Sequence, residues 1–361
     1  MSYTSFLPVS VSFLHLDRIY FLSFMSLKFV LLLPILLALV LLVSIHLLWG
    51  VSCLLGKCFH FTVSYTPWKW SAIGLVLLSW SIIAYGYFIG RFRLDVNRVE
   101  FVHADVPSSF DGYRIVHISD LHLSTFNDKP KALERFVDSV NAQHPDLICF
   151  TGDLVTIGKE EAEPFTDVLK NMKAKDGVMA VLGNHDFLIY RRDFANNAAR
   201  MRAVEELAKY MRDELGWHLL RNENRLIVRE QDTLCILGVD NHSCSDQGFH
   251  SVAYGVLSKA RYGATGFQVL LSHDPTHWRA EVLPKTDIPL TLSGHTHDAQ
   301  ISILGWSPAS RMFPEHAGLY TVMGNHVPQS LYVNVGLGCT FPARVGVDAE
   351  ITVIDLKGVK N

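Results

Sequence analysis

The chain has 361 residues, 49% of them hydrophobic, and a formal net charge of −3. Its mean hydropathy of +0.20 is high for a soluble enzyme, and the excess lies almost wholly in the first ninety residues. Residues 1–100 hold 7 Lys+Arg and 3 Asp+Glu, which leaves 25 against 32 for the rest; that acidic remainder gives no electrostatic reason to expect nucleic acid as a partner.

In chain order, residues 1–28 carry Asp17 and Arg18 inside a moderately apolar stretch and make a poor membrane span. Met25 suits a start as well as Met1 does. Residues 29–55 contain no charge and exceed the ~20 apolar residues that cross a hydrocarbon core. A polar-aromatic loop, 56–70, leads to a second uncharged stretch, 71–90, with Trp68, Trp70, Tyr85 and Tyr87 at interface depth. A cleaved signal peptide fits less well, because the first run is too long and no small-residue cleavage site follows. Two transmembrane helices define an integral membrane protein whose termini share one side of the bilayer. Arg91, Arg93 and Arg98 after the second span favour a cytoplasmic-facing large domain, residues 91–361.

Within that domain the pattern changes to short apolar runs separated by helical stretches. Segments 114–119, 147–151, 178–182, 267–272 and 290–293 read as strands. Helical spacing places Leu133, Phe136, Val137 and Val140 on one face of 131–143, and Phe165, Val168, Leu169 and Met172 on one face of 163–173. Residues 194–215 form a longer helical candidate. This alternation predicts a layered α/β domain. The late runs LYVNV and ITVIDL have no helix between them, so part of the sheet is expected to be antiparallel. Six scattered cysteines form no CxxC pair and read as reduced thiols, with Cys149 and Cys235 in buried strands.

Each predicted strand ends in residues able to bind a metal. The five ends are Ser119-Asp120-Leu121-His122, Thr151-Gly152-Asp153, Gly183-Asn184-His185-Asp186, Ser272-His273-Asp274-Pro275 and Gly294-His295-Thr296-His297. Strand ends of a layered sheet open into a common crevice. Carboxylate and amide oxygens mixed with imidazoles suit Mn²⁺, Fe or Zn²⁺, and the lack of thiolates argues against structural zinc. Asp153, on a turn, is placed to bridge two cations ~3.5–4 Å apart. Glycines 152, 183 and 294 allow turns that aim the next side chain inward. His117, His144 and His277 read as hydrogen-bonded core residues instead.

The series D-x-H, G-D, G-N-H-D, S-H and G-H-x-H resembles the calcineurin-like metallophosphoesterase superfamily across nearly the whole large domain. The tail from Tyr332 to Gly338, with Pro342, Arg344 and Glu350-Ile351-Thr352, resembles its membrane-associated branch, which includes the YkuE-like phosphoesterases. The resemblance implies a four-layer α-β-β-α sandwich of two mixed β-sheets and two divalent metal ions, Mn²⁺ first, with Fe or Zn²⁺ as alternatives. Asp120, His122 and His297 would hold one ion, Asn184, His273 and His295 the other, and Asp153 would bridge them. A metal-bridging hydroxide would attack phosphorus in line. His185 would stabilise the transition state or protonate the leaving alkoxide, and Asp186 would orient its imidazole.

Some members of the superfamily cleave the pyrophosphate of UDP-2,3-diacylglucosamine, so a phosphorylated, lipid-linked substrate at the bilayer surface is the implied partner. Where many relatives follow the last motif with small residues, this chain has Asp298-Ala299, a carboxylate expected to face solvent. Two rival readings are a membrane-tethered scaffold with a degenerate site and a nuclease of the same superfamily. The first would have lost a ligand, and none is missing. The second fits poorly with an acidic, doubly anchored chain.

Overall fold

The computed structural model describes residues 10–245, 247, 252–324 and 326–359, with side chains described from residue 32 onward. It divides into two units, Met1–Gly90 and Arg91–Asn361. The first holds two helices, α1 (Ser10–Phe59) and α2 (Thr66–Phe88). Helix α1 runs back beyond the expected span start, because nothing between Ser10 and Pro34 breaks it, and Pro34 itself is absorbed. Residues 1–9 of the expected N-terminal segment lie outside the described residues. The segments Leu32–Phe59 and Thr66–Phe92 are long and apolar enough to cross a membrane. Leu36, Val40, Leu47, Leu54 and Leu77 are each about 60% exposed. Rows of leucine on a helix with no protein covering them suit hydrocarbon rather than water. Tyr65 in the connecting turn meets His46 through a 2.8 Å hydrogen bond and Trp49 edge-on.

The second unit begins with β1 (Leu94–His103), β2 (Arg114–Ile118), α3 (Pro130–Asn141), β3 (Leu147–Phe150), α4 (Thr166–Lys170), β4 (Val178–Ala180), α5 (Asn197–Lys209) and β5 (His218–Leu219). It continues with β6 (Glu223–Arg229), β7 (Asp232–Gly238), α6 (Leu257–Ala260), β8 (Phe267–Leu271), α7 (Leu283–Lys285), β9 (Leu290–Ser293), β10 (Gly318–Met323), β11 (Pro328–Val333) and β12 (Ala349–Gly358). One sheet has the order β1-β12-β2-β3-β4-β5, the other β10-β11-β9-β8-β7-β6. Both are mixed. Strands β2 to β5 and β7, β8, β9, β11 run parallel within their sheets, while β12–β2, β6–β7 and β10–β11 pair antiparallel. This is the antiparallel component that the helix-free late segments implied.

Period-two alternation sorts each strand between two cores. Ile115, Leu147 and Cys149 face Ile236, Val269 and Leu292 between the sheets. Val116, Ile148 and Phe150 face outward onto Leu133 and Phe136 of α3 and Leu207 of α5. On the other side Cys235, Leu270 and Leu331 pack under Trp278 and Val282. Three apolar layers between four layers of backbone give the α-β-β-α order. Cys149 and Cys235 are buried as read, and all six cysteines are free.

Local chemistry shifted some boundaries. Helix α5 starts at Asn197 because the Asn196 side chain accepts from Ala199 N at 2.9 Å, a cap that ends the preceding loop. The 163–173 stretch is a 3₁₀ turn followed by the five-residue α4, with the break at Phe165, φ −107° and ψ 7°. Of the three histidines read as core, His117 bonds Thr151 Oγ1 at 2.9 Å and His277 bonds Ser272 Oγ at 2.9 Å, both buried. His144 is different: it is exposed, in a left-handed turn at φ 51°, a conformation in which histidine, like Asn and Asp, is enriched.

Candidate metal centre

The carboxyl ends of β2, β3, β4, β8 and β9 open at one edge of the sandwich, and the loops leaving them carry all nine residues singled out above. Asp120, His122, Asp153, His295 and His297 have positive φ, between 36° and 75°. Such backbone costs energy in any non-glycine residue, and surrounding bonds hold it here. Asp120 N donates to Gly152 O at 2.8 Å, His122 N to Asp153 O at 3.1 Å, and Gly338 N to Asp120 O at 2.7 Å.

Glycines work differently from the expectation. Gly152 does make the turn, at φ +99°, but Gly183 and Gly294 are needed for space. A methyl group on Gly294 would lie 1.9 Å from Ser119 Oγ and 2.2 Å from Asp120 Oδ2. Gly294→Ala is therefore expected to displace the Asp120 carboxylate and lower turnover by about 100-fold, the usual result of misplacing a reacting group by ~1 Å. Steady-state kinetics on the variant checks this; a native rate would mean that Asp120 is not held by that contact.

Two donor clusters form. In the first, His297 Nε2 lies 3.2 Å from Asp120 Oδ1 and 3.2 Å from His122 Nε2. In the second, Asn184 Oδ1 lies 3.0 Å from His273 Nε2 and 2.9 Å from His295 Nδ1. Asp153 Oδ2 sits between them, 3.5 Å from His122 Nε2 and 3.2 Å from His273 Nε2. The six fully buried members are at most 4% exposed, and the His295 side chain is also 4% exposed.

The donor set itself tests whether cations fit. His273 Nδ1 donates to Thr151 O at 2.7 Å, so the neutral ring turns a lone pair toward two oxygen acceptors, Asn184 Oδ1 and Asp153 Oδ2. Three acceptors facing one another need a positive charge among them. Burial opposes a charged His273, yet Asp153 and Asp120 push its pKa up to about 10. Burial likewise opposes the Asp120 carboxylate, while His297 and His273 hold it well below the ordinary range. Among the described residues, Asp120 Oδ1 is buried without a hydrogen-bond partner. A cation in each cluster satisfies all of this, and the mixed N/O set without sulfur suits Mn²⁺, Fe or Zn²⁺.

His185 lies beside the centre. Its Nδ1 donates to Thr156 O at 2.8 Å, its ring packs tilted against Tyr190 at 4.3 Å, and its edge meets His122 at 4.7 Å. The bare Nε2 then joins His122 and Asp153 in a third group of converging donor atoms. Burial pushes its pKa down to about 4 despite Asp153, so the ring is neutral near pH 7.

Asp186 corrects the expectation. Its carboxylate does not touch the His185 ring, which Thr156 orients. It accepts from the backbone amides of Asp153, Leu154, Val155 and Gly183 at 2.8, 2.9, 3.2 and 3.0 Å. It is a pin for the loop that carries Asp153. Burial and the Asp153 charge push its pKa up, against four donors that favour the carboxylate. Asp298 is also not turned to solvent: its Oδ1 accepts from His316 Nδ1 at 2.7 Å.

Several supporting residues escaped sequence reading. Gln247 Oε1 accepts from His295 Nε2 at 2.9 Å and its amide donates to Asp274 Oδ2 at 2.6 Å, which fixes the His295 tautomer with Nδ1 toward Asn184. The tail also gains a reason. Buried Arg344 donates to the carbonyls of Val335, Gly336 and Gly338 at 2.9, 3.0 and 2.6 Å, and Glu350 Oε2 accepts from Val335 N at 3.1 Å. That loop backs directly onto Asp120.

A two-sheet sandwich with this His, Asp and Asn constellation at its open edge defines a metallophosphoesterase-like protein. Residues 113–299 match the family model described as calcineurin-like phosphoesterase, and the chain belongs to that family. It is 31% identical over 265 residues to the transmembrane protein with metallophosphoesterase domain of Danio rerio, covering 72% of this chain and 56% of that one. The chain thus spans little more than half the length of that relative. It is 30% identical to the metallophosphoesterase YkuE of Bacillus subtilis, covering 70% of this chain and 82% of that one. Similarity also extends to the UDP-2,3-diacylglucosamine pyrophosphatase LpxG of Chlamydia trachomatis, 28% identical over 67% of this chain and 83% of that one.

Proposed function

We propose that this chain is a membrane-anchored hydrolase of phosphoric esters or pyrophosphates that works with two divalent cations. The observation that carries the reading is Asp153, one buried carboxylate within 3.5 Å of an imidazole in each of two donor clusters. Asp120, His122 and His297 would hold one ion, and Asn184, His273 and His295 the other. When bound, such ions supply a nucleophilic hydroxide at neutral pH and neutralise charge on the phosphoryl oxygens. The chain's own residues do the rest. Thr151 O and Gln247 fix which nitrogen of His273 and of His295 faces inward, and Asp186 holds the Asp153 loop. His185, neutral and anchored by Thr156 O, presents Nε2 to a phosphoryl group and is placed to stabilise the transition state or pass a proton to the leaving alkoxide.

Mn²⁺ is the first metal to test, on the family resemblance; the donor set suits Fe or Zn²⁺ as well. The full chain with Mn²⁺ is expected to hydrolyse bis-p-nitrophenyl phosphate and to stop when a chelator is added, and Mn²⁺ should restore the rate. Persistent activity in chelator would remove the metal-dependent reading.

The two apolar helices and the transmembrane relative support an anchor in the bilayer, which raises the effective concentration of lipid-borne substrates. With the similarity to a UDP-2,3-diacylglucosamine pyrophosphatase, this favours a lipid-linked pyrophosphate. Incubation with that nucleotide lipid and Mn²⁺ should release UMP; intact substrate rules it out. The Lys/Arg distribution favours a cytoplasmic-facing domain, which a reporter fused after Asn361 decides.

A further inference from the structure

Six residues after His297 the backbone makes a tight hairpin. Ile303 and Trp306 exchange hydrogen bonds at 2.9 and 3.0 Å across a two-residue turn, Leu304 at φ 52° and Gly305 at φ 82°. Positive φ at both positions favours Asn-Gly. Here the first position is leucine, and it is fully exposed at 103%. Backbone and water both disfavour that choice, so the side chain needs another partner.

Its neighbours share the property. Ile303 is 61% exposed, Trp306 51%, Ile301 44%, Met312 49% and Phe341 61%. These groups are held firmly. The buried Gln300 side chain donates to Phe341 O at 2.7 Å and Ala343 O at 2.6 Å and accepts from Phe341 N at 3.0 Å, tying the hairpin base to the 340–343 loop. Ser302 N donates to Val345 O at 2.8 Å.

The chain enters this domain along the same edge. Arg93 O accepts from Ala349 N at 2.9 Å and its side chain pairs with Asp348 at 3.0 Å. The entry therefore lies a few residues from Phe341 and Val345. Only Ile89, the 3₁₀ turn Gly90–Phe92 and Arg93 separate Phe88, the end of the second apolar helix, from β1. Exposed Arg311, next to Met312 in the chain, adds charge suited to anionic headgroups.

We propose that the 301–306 hairpin and the 340–343 loop dock onto the lipid bilayer, inserting Leu304, Trp306 and Phe341 among the headgroups. Tryptophan beside aliphatic side chains is the composition that settles at a membrane interface. The hairpin springs from the segment that carries His297, and the 340–343 loop from the segment that backs Asp120. Docking therefore sets the metal centre at headgroup depth, where a lipid phosphoester lies. This orientation rests on the phosphoesterase reading; the docking itself does not.

The test uses the full chain in phosphatidylcholine–phosphatidylglycerol vesicles, with Cys53, Cys58 and Cys244 replaced by serine. A fluorophore is attached at Leu304→Cys or, as a control, at Tyr262→Cys. Tyr262 is 87% exposed and lies beside Asn224 of β6, at the opposite edge of its sheet. Lipids brominated on their acyl chains should quench the probe at 304 and leave the one at 262 unchanged. Equal quenching, none at either position, or burial of the 304 probe in a dimer without quenching overturns the proposal.

In a second arm, Leu304→Asn combined with Trp306→Ser should keep the native rate on soluble bis-p-nitrophenyl phosphate. It should lose roughly tenfold on phosphatidyl-p-nitrophenol in the vesicle. Equal losses on the two substrates, or none, count against docking. If the native chain hydrolyses neither compound, the phosphoesterase reading fails and the quenching result still decides the docking surface.

Discussion

Asp153→Ala is expected to cut hydrolysis by about 10³-fold or more while leaving a folded protein, because it removes the one carboxylate shared by both donor clusters. Elemental analysis should show metal content falling from about two ions per chain to below one. The loss to the fold is small by comparison: Asp153 Oδ1 accepts one backbone amide, His185 N, at 2.8 Å. One buried amide left without an acceptor costs about 1–3 kcal/mol. Cooling or added osmolyte should not restore the rate. A variant that retains both ions, or that turns over at a substantial fraction of the native rate, would show that Asp153 does not bridge.

Asp186→Ala is expected to act in the opposite order, through stability first. The substitution strands four buried amides at once, those of Asp153, Leu154, Val155 and Gly183. Adding their separate costs overstates the effect, since water can enter the space, but about 4 kcal/mol or more is expected. Denaturant unfolding of the full chain should show a lower midpoint for its second unit, Arg91–Asn361. Activity should fall with it and recover partly at low temperature, where the Asp153 loop regains its position. Asp186→Asn keeps one oxygen, for Leu154 and Val155 or for Asp153 and Gly183, but turns an NH₂ toward the other two amides, so only partial rescue is expected. Equal losses of rate with unchanged unfolding in the Asp153 and Asp186 variants would contradict both assignments.

The strand ends were legible because each puts several polar, metal-competent residues straight after an apolar run, and the sheet order then brings the five ends to one edge. What the sequence did not disclose is how those groups are held. Asp186 looked like a partner for the adjacent imidazole; its true contacts are amides up to 33 residues away, which no local spacing reports. Gln247 is an unremarkable polar residue in a loop, and its value comes from sitting between His295 and Asp274.

Strands showed a similar division. The segments β2, β3, β8 and β9 are short, mostly apolar and, apart from Arg114 and Gln268, buried on both faces, and were readable. The edge segment β6, ENRLIVR, and the two-residue β5 lack that pattern, since one is half solvated and the other is too short to show a period. The strand β1 mixes Asp95, Asn97, Arg98 and Glu100 with its apolar positions, because as an edge strand it has one flank open.

That edge strand has a temporal consequence. All ten residues of β1 pair in register with β12, Leu94 opposite Ala349 through His103 opposite Gly358. Ribosomes deliver β1 immediately after the apolar helices, yet its partner emerges some 250 residues later. Throughout that interval β1 waits with both backbone edges open, in the kind of state that invites mispairing or chaperone capture. Closing so long a loop is slow, so the sheet is completed only as synthesis of β12 finishes, and nonsense truncation before residue 349 would release a chain with its first strand unpaired.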